Sequence, residues 1–459
     1  MKNKSIFSVL AVLALFTFCK ISNAQIPPAL SATLQFKLDS IRTANNLKGV
    51  SAAIVIPNMG TWLGVSGISF GTDNIQPNYR FSIASNTKMY ISTLMLKLQE
   101  ANVLSLNDMI YQWLPNLGFP NIDSAITIRQ LLNHTSGVYN INSYPGYKDS
   151  LNADYTRNWQ LLELLEMVNA PYFPKGTGFY YSNTNYLLAG MIINAATGSQ
   201  VSFQLRQNIL IPGNLNATFF EGEEPVTGTI AHSWDNASVT YTIGDIFSLP
   251  RNSFNSHSWT SGTIKATAED QARFYQYVFN GPCLTASSKS EMLTVYPISP
   301  VYGYGLGVFR DTYTFPPNTL YYHGGNFDNV SFNTIDSINN VSICLQINQS
   351  YSSIGAKAYS HKLLKVVLDY LGTLTSFSGN ADGDDDLIML YPVPATNTCY
   401  LNTSLNEFTV SVSNTSGQCL IYGQNIRELE LRHLSEGLYF VTIEGKNGRR
   451  QTKKLQITR

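Results

Sequence analysis

The chain has 459 residues. At roughly 100 to 200 residues per domain this implies two to four domains with large buried cores, and a lone small module is excluded. Thirty Lys+Arg balance thirty Asp+Glu, and only 13% of residues are charged; this lacks the basic excess that neutralises phosphates, so nucleic acid is not expected as a partner. With 44% hydrophobic and 12% aromatic residues, the chain has enough apolar surface to fold, and the disordered class is excluded too.

The N-terminus reads Lys2, Lys4, an apolar run from Ile6 to Phe18, and then Ser22-Asn23-Ala24 before Gln25. A basic head, a short apolar stretch and a small residue at the cut site predict a secretory signal peptide over 1–24. Cys19 is preceded by Phe16-Thr17-Phe18 rather than the small residues that precede a lipidated cysteine. Four cysteines then remain, Cys283, Cys344, Cys399 and Cys419, either as two bridges or as buried free thiols. The six histidines form no HExxH or His/Cys pattern, so no metal is expected.

Leu34, Leu38 and Ile41 recur at helical spacing, followed by a strand at Val50 to Ile56 and a hairpin partner at Thr61 to Val65. Gly67-Ile68-Ser69-Phe70-Gly71 has the GxSxG string of a nucleophile elbow, which requires a helix immediately after the serine. Thr72-Asp73-Asn74-Ile75-Gln76-Pro77 follows instead, and the segment is read as a glycine-rich loop. Ser85-Asn86-Thr87-Lys88 is the stronger candidate, because Ile91, Leu94, Met95 and Leu98 continue it as a helix. Ser85 and Lys88 then share one face of the first turn. A serine hydroxyl needs a nearby base, and burial with the positive helix N-terminus lowers a lysine pKa toward that role.

From about 85 to 280 the chain reads as mostly helical with loops. Strands follow at Tyr304 to Phe309, Leu320 to Tyr322 and Val341 to Ile347, and then a helix carrying Leu363, Leu364, Val367, Leu368 and Leu371. Strands at both ends around a helical insertion make an α+β layout. Ser376 to Asp386 is small, polar and acidic, a linker rather than a calcium loop, since Asp382, Asp384 and Asp386 lack the remaining loop glycine and the distal Glu. Beyond it, Phe408 to Val412, Cys419 to Ile421, Leu438 to Ile443 and Leu455 to Ile457 predict a small β-sandwich.

Several segments in order resemble the penicillin-recognising serine hydrolases, in the branch of class C β-lactamases, DD-peptidases and esterases. They are Phe81 to Lys88, Leu104-Ser105-Leu106-Asn107-Asp108, Ile126 to Gly137, Pro174-Lys175-Gly176 through Tyr181-Ser182-Asn183, and His323-Gly324-Gly325. The resemblance covers roughly 30 to 375 and implies a β-lactamase/transpeptidase-like fold, an antiparallel sheet flanked by helices with a helical subdomain. It implies Ser85 as acylated nucleophile, Lys88 as its proton acceptor and Tyr181 as proton carrier, acting as a phenolate favoured by Lys88. It also implies Asn183, His323, Gly324 and Gly325 as substrate-binding residues and the backbone N–H groups of Ser85 and Asn326 as the oxyanion hole. His134 belongs to a loop-ordering signature. No cofactor is implied.

His323 stands where β-lactamases have lysine, and being mostly neutral at pH 7 it is a weaker partner for a carboxylate. Asn326-Phe327-Asp328-Asn329 replaces a glycine the family often has, and Pro212-Gly213-Asn214-Leu215 also departs from the usual pattern. The expectation is a secreted hydrolase acting on a small peptide, amide or ester, like a D-Ala-D-Ala carboxypeptidase or an esterase. A true class C β-lactamase and an inactive peptidoglycan- or peptide-binding protein stay open.

The C-terminal block resembles the sorting domain of type IX secretion substrates. Tyr391-Pro392-Val393-Pro394-Ala395-Thr396 opens it, Gly437-Leu438-Tyr439-Phe440-Val441 lies in its middle and Lys453-Lys454-Leu455-Gln456-Ile457 near its end. This implies a hydrolase domain over 25–375, a linker over 376–386 and a sorting domain over 387–459. The partner would be the outer-membrane secretion machinery, and the location the surface or surroundings of a Gram-negative cell.

Overall fold

A computed structural model describes residues 26–235, 244–312, 319–350, 353–374 and 389–458, apart from 392, 394, 404, 406 and 447–449. The expected signal peptide and linker lie outside these residues.

Nine strands form one sheet: β1 (Gly49–Ile56), β2 (Gly60–Phe70), β3 (Asp73–Asn74), β4 (Tyr296–Ser299), β5 (Tyr302–Tyr304), β6 (Phe309–Asp311), β7 (Leu320–Asn326), β8 (Val330–Asp336) and β9 (Val341–Ile347). Their spatial order is β3-β2-β1-β9-β8-β7-β6-β5-β4, so the two ends of the domain meet at β1 and β9, with Val50 opposite Ile347. All the pairings are antiparallel, and β1 and β9 are buried on both faces. In β9, Val341, Ile343, Leu345 and Ile347 alternate with Ser342, Cys344 and Gln346, and the buried polar members are satisfied on the other face: Ser342 donates to the Ala272 carbonyl at 2.8 Å and Gln346 to the Ala266 carbonyl at 3.2 Å.

One face is covered by helices α1 (Pro28–Ala44) and α5 (Ser353–Leu374). Leu30, Leu34, Leu38 and Ile41 of α1 and Leu363, Leu364 and Val367 of α5 close over Ile54, Ile343 and Leu345. Pro28 opens α1, where its missing N–H is no loss. On the opposite face α4 (Ala268–Phe279) brings Ala268 and Ala272 onto Ala53 and Cys344, and these small side chains let the helix lie close to the sheet.

The helical subdomain is built around α2 (Thr87–Glu100) and α3 (Asn183–Thr197). The sequence pattern makes α2 apolar on one side, yet Thr87 through Leu96 and Leu98 are all buried. Its polar residues are satisfied inside: Thr93 donates to the Met89 carbonyl at 2.8 Å, and Gln271 donates to the Tyr90 hydroxyl at 2.7 Å. A helix enclosed on all sides is a rigid platform for whatever stands at its N-terminus.

Two of the expected elements differ. Gly67 to Phe70 is not loop but the continuation of β2, where Gly67 at φ +85° lets the strand run past a register shift into its pairing with β3. Tyr304 to Phe309 is not one strand but a hairpin, β5 and β6 joined by a turn in which Gly307 has φ +73°. The four cysteines are free thiols, three of them buried and Cys419 exposed.

The C-terminal part has its own core of Val410, Val412, Leu429, Val441, Ile443 and Leu455. Its four-stranded sheet orders Cys419–Gln424, Phe408–Asn414, Gly437–Gly445 and Arg450–Ile457. Met389–Tyr391, Thr398–Asn402 and Glu428–Glu430 form a three-stranded sheet that the sequence pattern does not announce.

Candidate active site

Ser85 lies in the 3-10 turn Ala84–Asn86 that leads into α2. The turn is fixed from several directions. Ile83 N–H donates to the Ile264 carbonyl at 2.9 Å, the Asn86 amide donates to the carbonyls of Ile83 and Ser331, each at 3.1 Å, and Thr87 Oγ1 accepts from Ile264 N–H at 3.1 Å. Ala84 adopts φ +44°, a conformation that a residue with a Cβ takes only under constraint. This is the kind of backbone strain that gathers at functional sites.

Lys88, one turn on, is 0% exposed and its Nζ lies 3.0 Å from Ser85 Oγ. The same amine donates to the Ser261 carbonyl at 2.7 Å. Among the described residues no carboxylate hydrogen-bonds it, and burial holds Lys88 well below the ordinary lysine range. A neutral amine can give one N–H to Ser261 and turn its lone pair toward the Ser85 hydroxyl.

The ring centroid of Tyr181 lies 5.0 Å from Lys88 Nζ. Burial pushes its phenol well up, opposed in part by a hydrogen bond with Ser85. Burial thus works against the phenolate that the resemblance implies. Burial penalises both members of a Lys⁺/Tyr⁻ pair, so the neutral amine and neutral phenol are the favoured resting state.

The segment carrying Tyr181 and Asn183 is held by the Asn133 to Gly137 loop. His134, buried and at φ +61°, accepts at Nδ1 from Ser182 N–H at 3.2 Å and from the Asn185 amide at 3.1 Å, and its ring lies 4.3 Å from that of Tyr181. Gly137 at φ +76° has no room for a Cβ, which would stand 2.0 Å from the Phe173 carbonyl. Asn183 begins α3; its backbone N–H donates to Asn140 Oδ1 at 3.1 Å and its side-chain amide to Asn142 Oδ1 at 3.0 Å.

The third wall is the end of β7. A Cβ on Gly325 would stand 2.0 Å from the Ile83 carbonyl and 3.0 Å from the Ala84 Cβ, so only glycine lets the strand lie against the nucleophile turn. Asn326, the next residue, pairs with Val330 and is exposed at the strand end. Ser85, Lys88, Tyr181 and the Gly324-Gly325 edge are thereby gathered together, while Asn183 stands two residues after Tyr181 at the head of α3.

Residues 38–365 match the family described as Beta-lactamase. The chain belongs to the beta-lactamase family. Residues 389–458 match the Secretion system C-terminal sorting domain. Among curated relatives, the chain is 27% identical over 228 residues to Penicillin-binding protein 4* of Bacillus subtilis, covering 47% of this chain and 48% of that protein. It is 25% identical over 263 residues to Protein flp of Staphylococcus aureus, covering 56% and 50%. The chain thus spans about half the length of the curated relatives it matches. A D-stereospecific amidohydrolase from Streptomyces sp. superposes with a TM-score of 0.63 at 27% identity, covering 72% of this chain and 98% of that one. The D-amino acid amidase of Ochrobactrum anthropi SV3, complexed with L-phenylalanine amide, superposes with a TM-score of 0.65 at 24% identity, covering 75% and 99%, a likeness of fold.

Within this beta-lactamase-family site, His323 is only 1% exposed. Its Nδ1 lies 2.7 Å from the Gly324 carbonyl and its Nε2 3.2 Å from the Tyr304 hydroxyl. Burial is the chief cause that brings it down to about 3. The imidazole is neutral, as expected, but both nitrogens are engaged within the protein, and the hydrogen bond to substrate expected of it finds no free ring donor.

Ser69 is buried in β2, where its hydroxyl accepts from His232 N–H at 3.0 Å and its carbonyl from Trp234 Nε1 at 2.9 Å. Its role there is structural. The sequence did not single out Ser261, which acts through a backbone carbonyl that no residue type announces, nor Asn140 and Asn142, nor Tyr304. Only Tyr304 left a trace, in the glycine-rich run Tyr302 to Gly307.

Proposed function

We propose that this member of the beta-lactamase family is a serine acyl hydrolase that cleaves an amide, peptide or ester through an acyl-Ser85 intermediate. The observation that carries this reading is the 3.0 Å approach of the enclosed Lys88 amine to Ser85 Oγ, with burial lowering the lysine well below its ordinary range. Ser85 Oγ attacks the substrate carbonyl as its proton passes to Lys88 Nζ. The backbone N–H groups of Ser85 and Asn326 receive the developing oxyanion. Tyr181, protonated at rest, gives its proton to the leaving group and recovers one from Lys88. Water then releases the acyl group by the same proton path in reverse.

The neutral His323 supplies no fixed cation for a substrate carboxylate, which favours an uncharged amide or ester over a β-lactam. The solved relatives include a D-stereospecific amidohydrolase and a D-amino acid amidase, and an amide substrate for this chain accords with them. The sorting-domain match favours delivery outside the cell by type IX secretion, with the outer-membrane machinery as partner.

Labelling with a fluorophosphonate, followed by assays on amino acid amides, D-Ala-D-Ala peptides, short-chain esters and nitrocefin, tests the reading. A covalent adduct on Ser85 that is lost in Ser85→Ala together with turnover is the expected result. Retained turnover in Ser85→Ala would overturn it.

A further inference from the structure

The end of β7 and the turn after it, Asn326-Phe327-Asp328-Asn329, stand where the family often has glycine, and the turn carries two features the catalytic scheme does not use. Phe327 is 44% exposed, yet its ring stacks on Phe254 with centroids 3.7 Å apart and planes 21° apart. Asp328 is a carboxylate only 1% exposed, paired with Arg251. Exposing an aromatic ring and burying an ion pair are both unfavourable by themselves, so their combination beside the oxyanion edge calls for a functional account.

Arg251 connects the two. Its guanidinium lies over the Phe254 ring at 4.7 Å, pairs with Asp328, and bonds Glu221 at 3.0 Å. Glu221 in turn lies 3.5 Å from Lys265 on strand Ile264–Ala266, which pairs with Phe81–Ser82 just before the nucleophile turn. Phe254 belongs to helix Asn252–Ser258, and the next turn, Trp259–Ser261, gives Lys88 its carbonyl partner. Arg251 therefore links the Phe327 ring, through Phe254, with the Asp328 turn directly and, through Glu221 and Lys265, with the strand that leads to Ser85. Within the turn, Phe327 N–H donates to the Asn329 carbonyl at 3.1 Å and Ser233 donates to Asp328 at 3.3 Å.

We propose that Phe327 is a specificity residue, a preset aromatic shelf beside Asn326 that selects substrates with a flat, apolar acyl group, and that Arg251 and Asp328 are its positioning residues. One ring face rests on Phe254, and the exposed remainder is what a substrate ring or apolar chain would meet. Because the shelf is held before substrate arrives, its contact costs little ordering entropy. The proposal rests on the acyl-Ser85 reading.

The test compares p-nitrophenyl phenylacetate with p-nitrophenyl acetate, which share a leaving group and differ only in the acyl part. Rates are normalised to active sites counted by fluorophosphonate titration of the full chain. The wild type should favour the phenylacetyl ester in kcat/KM. Phe327→Ala should lower that ratio by about tenfold, the scale of removing a pocket contact, and Phe327→Tyr should keep it. Asp328→Asn should lower the same ratio through the KM of the phenylacetyl ester. A loss of stability alone would reduce the titrated sites and leave the ratio untouched. A ratio unchanged in Phe327→Ala, with Ser85 still labelled, overturns the shelf alone. A wild type that is not labelled at Ser85 overturns the acyl-enzyme reading, and the shelf with it.

Discussion

Tyr304 donates its hydroxyl to Nε2 of His323 across 3.2 Å, since Nδ1 of that ring faces the Gly324 carbonyl, an acceptor, and must carry the proton. The pair fixes one tautomer of a neutral imidazole beneath the candidate site.

Acid should therefore destabilise the fold early. His323 is brought down to about 3, His257 and His361 to about 4, and His134 well below its ordinary value, in each case chiefly by burial. Their folded values lie below the unfolded value near 6.5, so the unfolded chain binds the extra protons. Stability is full above about pH 6.5 and falls as the pH drops toward 4 and 3. For His257 alone the loss reaches about 3 kcal/mol by pH 4. Urea unfolding from pH 7 to 4 should show this decline, and His257→Gln should reduce its slope. A flat profile would mean that these rings are protonated in the folded state.

Lys88→Met should abolish turnover and raise the melting temperature. The enclosed amine is depressed in the fold and ordinary in the unfolded chain, which binds more protons once the pH falls below about 10, so this lysine opposes folding there. Removing it should give roughly 2–4 °C in Tm, the shift that about 1 kcal/mol produces in a domain of moderate size. Calorimetry checks the sign, and a variant that melts lower would show that the Ser261 contact outweighs the desolvation.

The two serine candidates should separate cleanly. Ser69→Ala should keep turnover within a few-fold and lose about 1 kcal/mol of stability, because His232 N–H loses its acceptor inside the protein. Ser85→Ala should do the opposite, losing turnover with stability nearly unchanged. Denaturant titration beside a rate measurement on both variants distinguishes them.

Gly307→Ala should disable the site without touching any of its reactive atoms. The glycine has φ +73°, and an added Cβ would stand 2.8 Å from the Lys88 carbonyl and 2.5 Å from Ser92 Oγ. The displacement falls on the first turns of α2, so turnover should drop at least about tenfold, as misplacing a catalytic group does. Turnover at the wild-type rate would show that the hairpin tip yields instead of the helix.

Deleting 386–459 should leave turnover in the purified protein and stop its delivery outside the cell. All of the candidate catalytic residues precede residue 375, and the C-terminal strands have their own core. Fractionation of cells expressing full and shortened chains provides the measurement; normal export of the shortened chain would contradict the sorting role.

Ser85 and Lys88 were legible because both lie in one short run that passes directly into a helical period. Helices α1 and α5 were legible for the same reason of spacing. Gly67 to Gly71 was misread because glycine signals a turn and a bulge alike, and only the pairing of Gly67 with Gly49 decides between them. Tyr304 to Phe309 has a strand's composition, and its division into β5 and β6 depends on Gly307 packing under Lys88. Arg251 and Asp328 are 77 residues apart, and nothing in a neutral, evenly charged chain marks them as partners. The protonation of Tyr181 could not be read either, since it depends on how completely the surrounding wall excludes water.

The meeting of β1 with β9 also governs when this protein can fold. The first hairpin presents an unpaired edge until the last strand of its sheet is available, and Val50 finds Ile347 only after nearly the whole hydrolase domain has been made. Such non-local closure is slow. A chain built this way keeps one edge of its first hairpin open until residue 347 has been made, and that edge must be kept from wrong partners for nearly the whole synthesis of the domain.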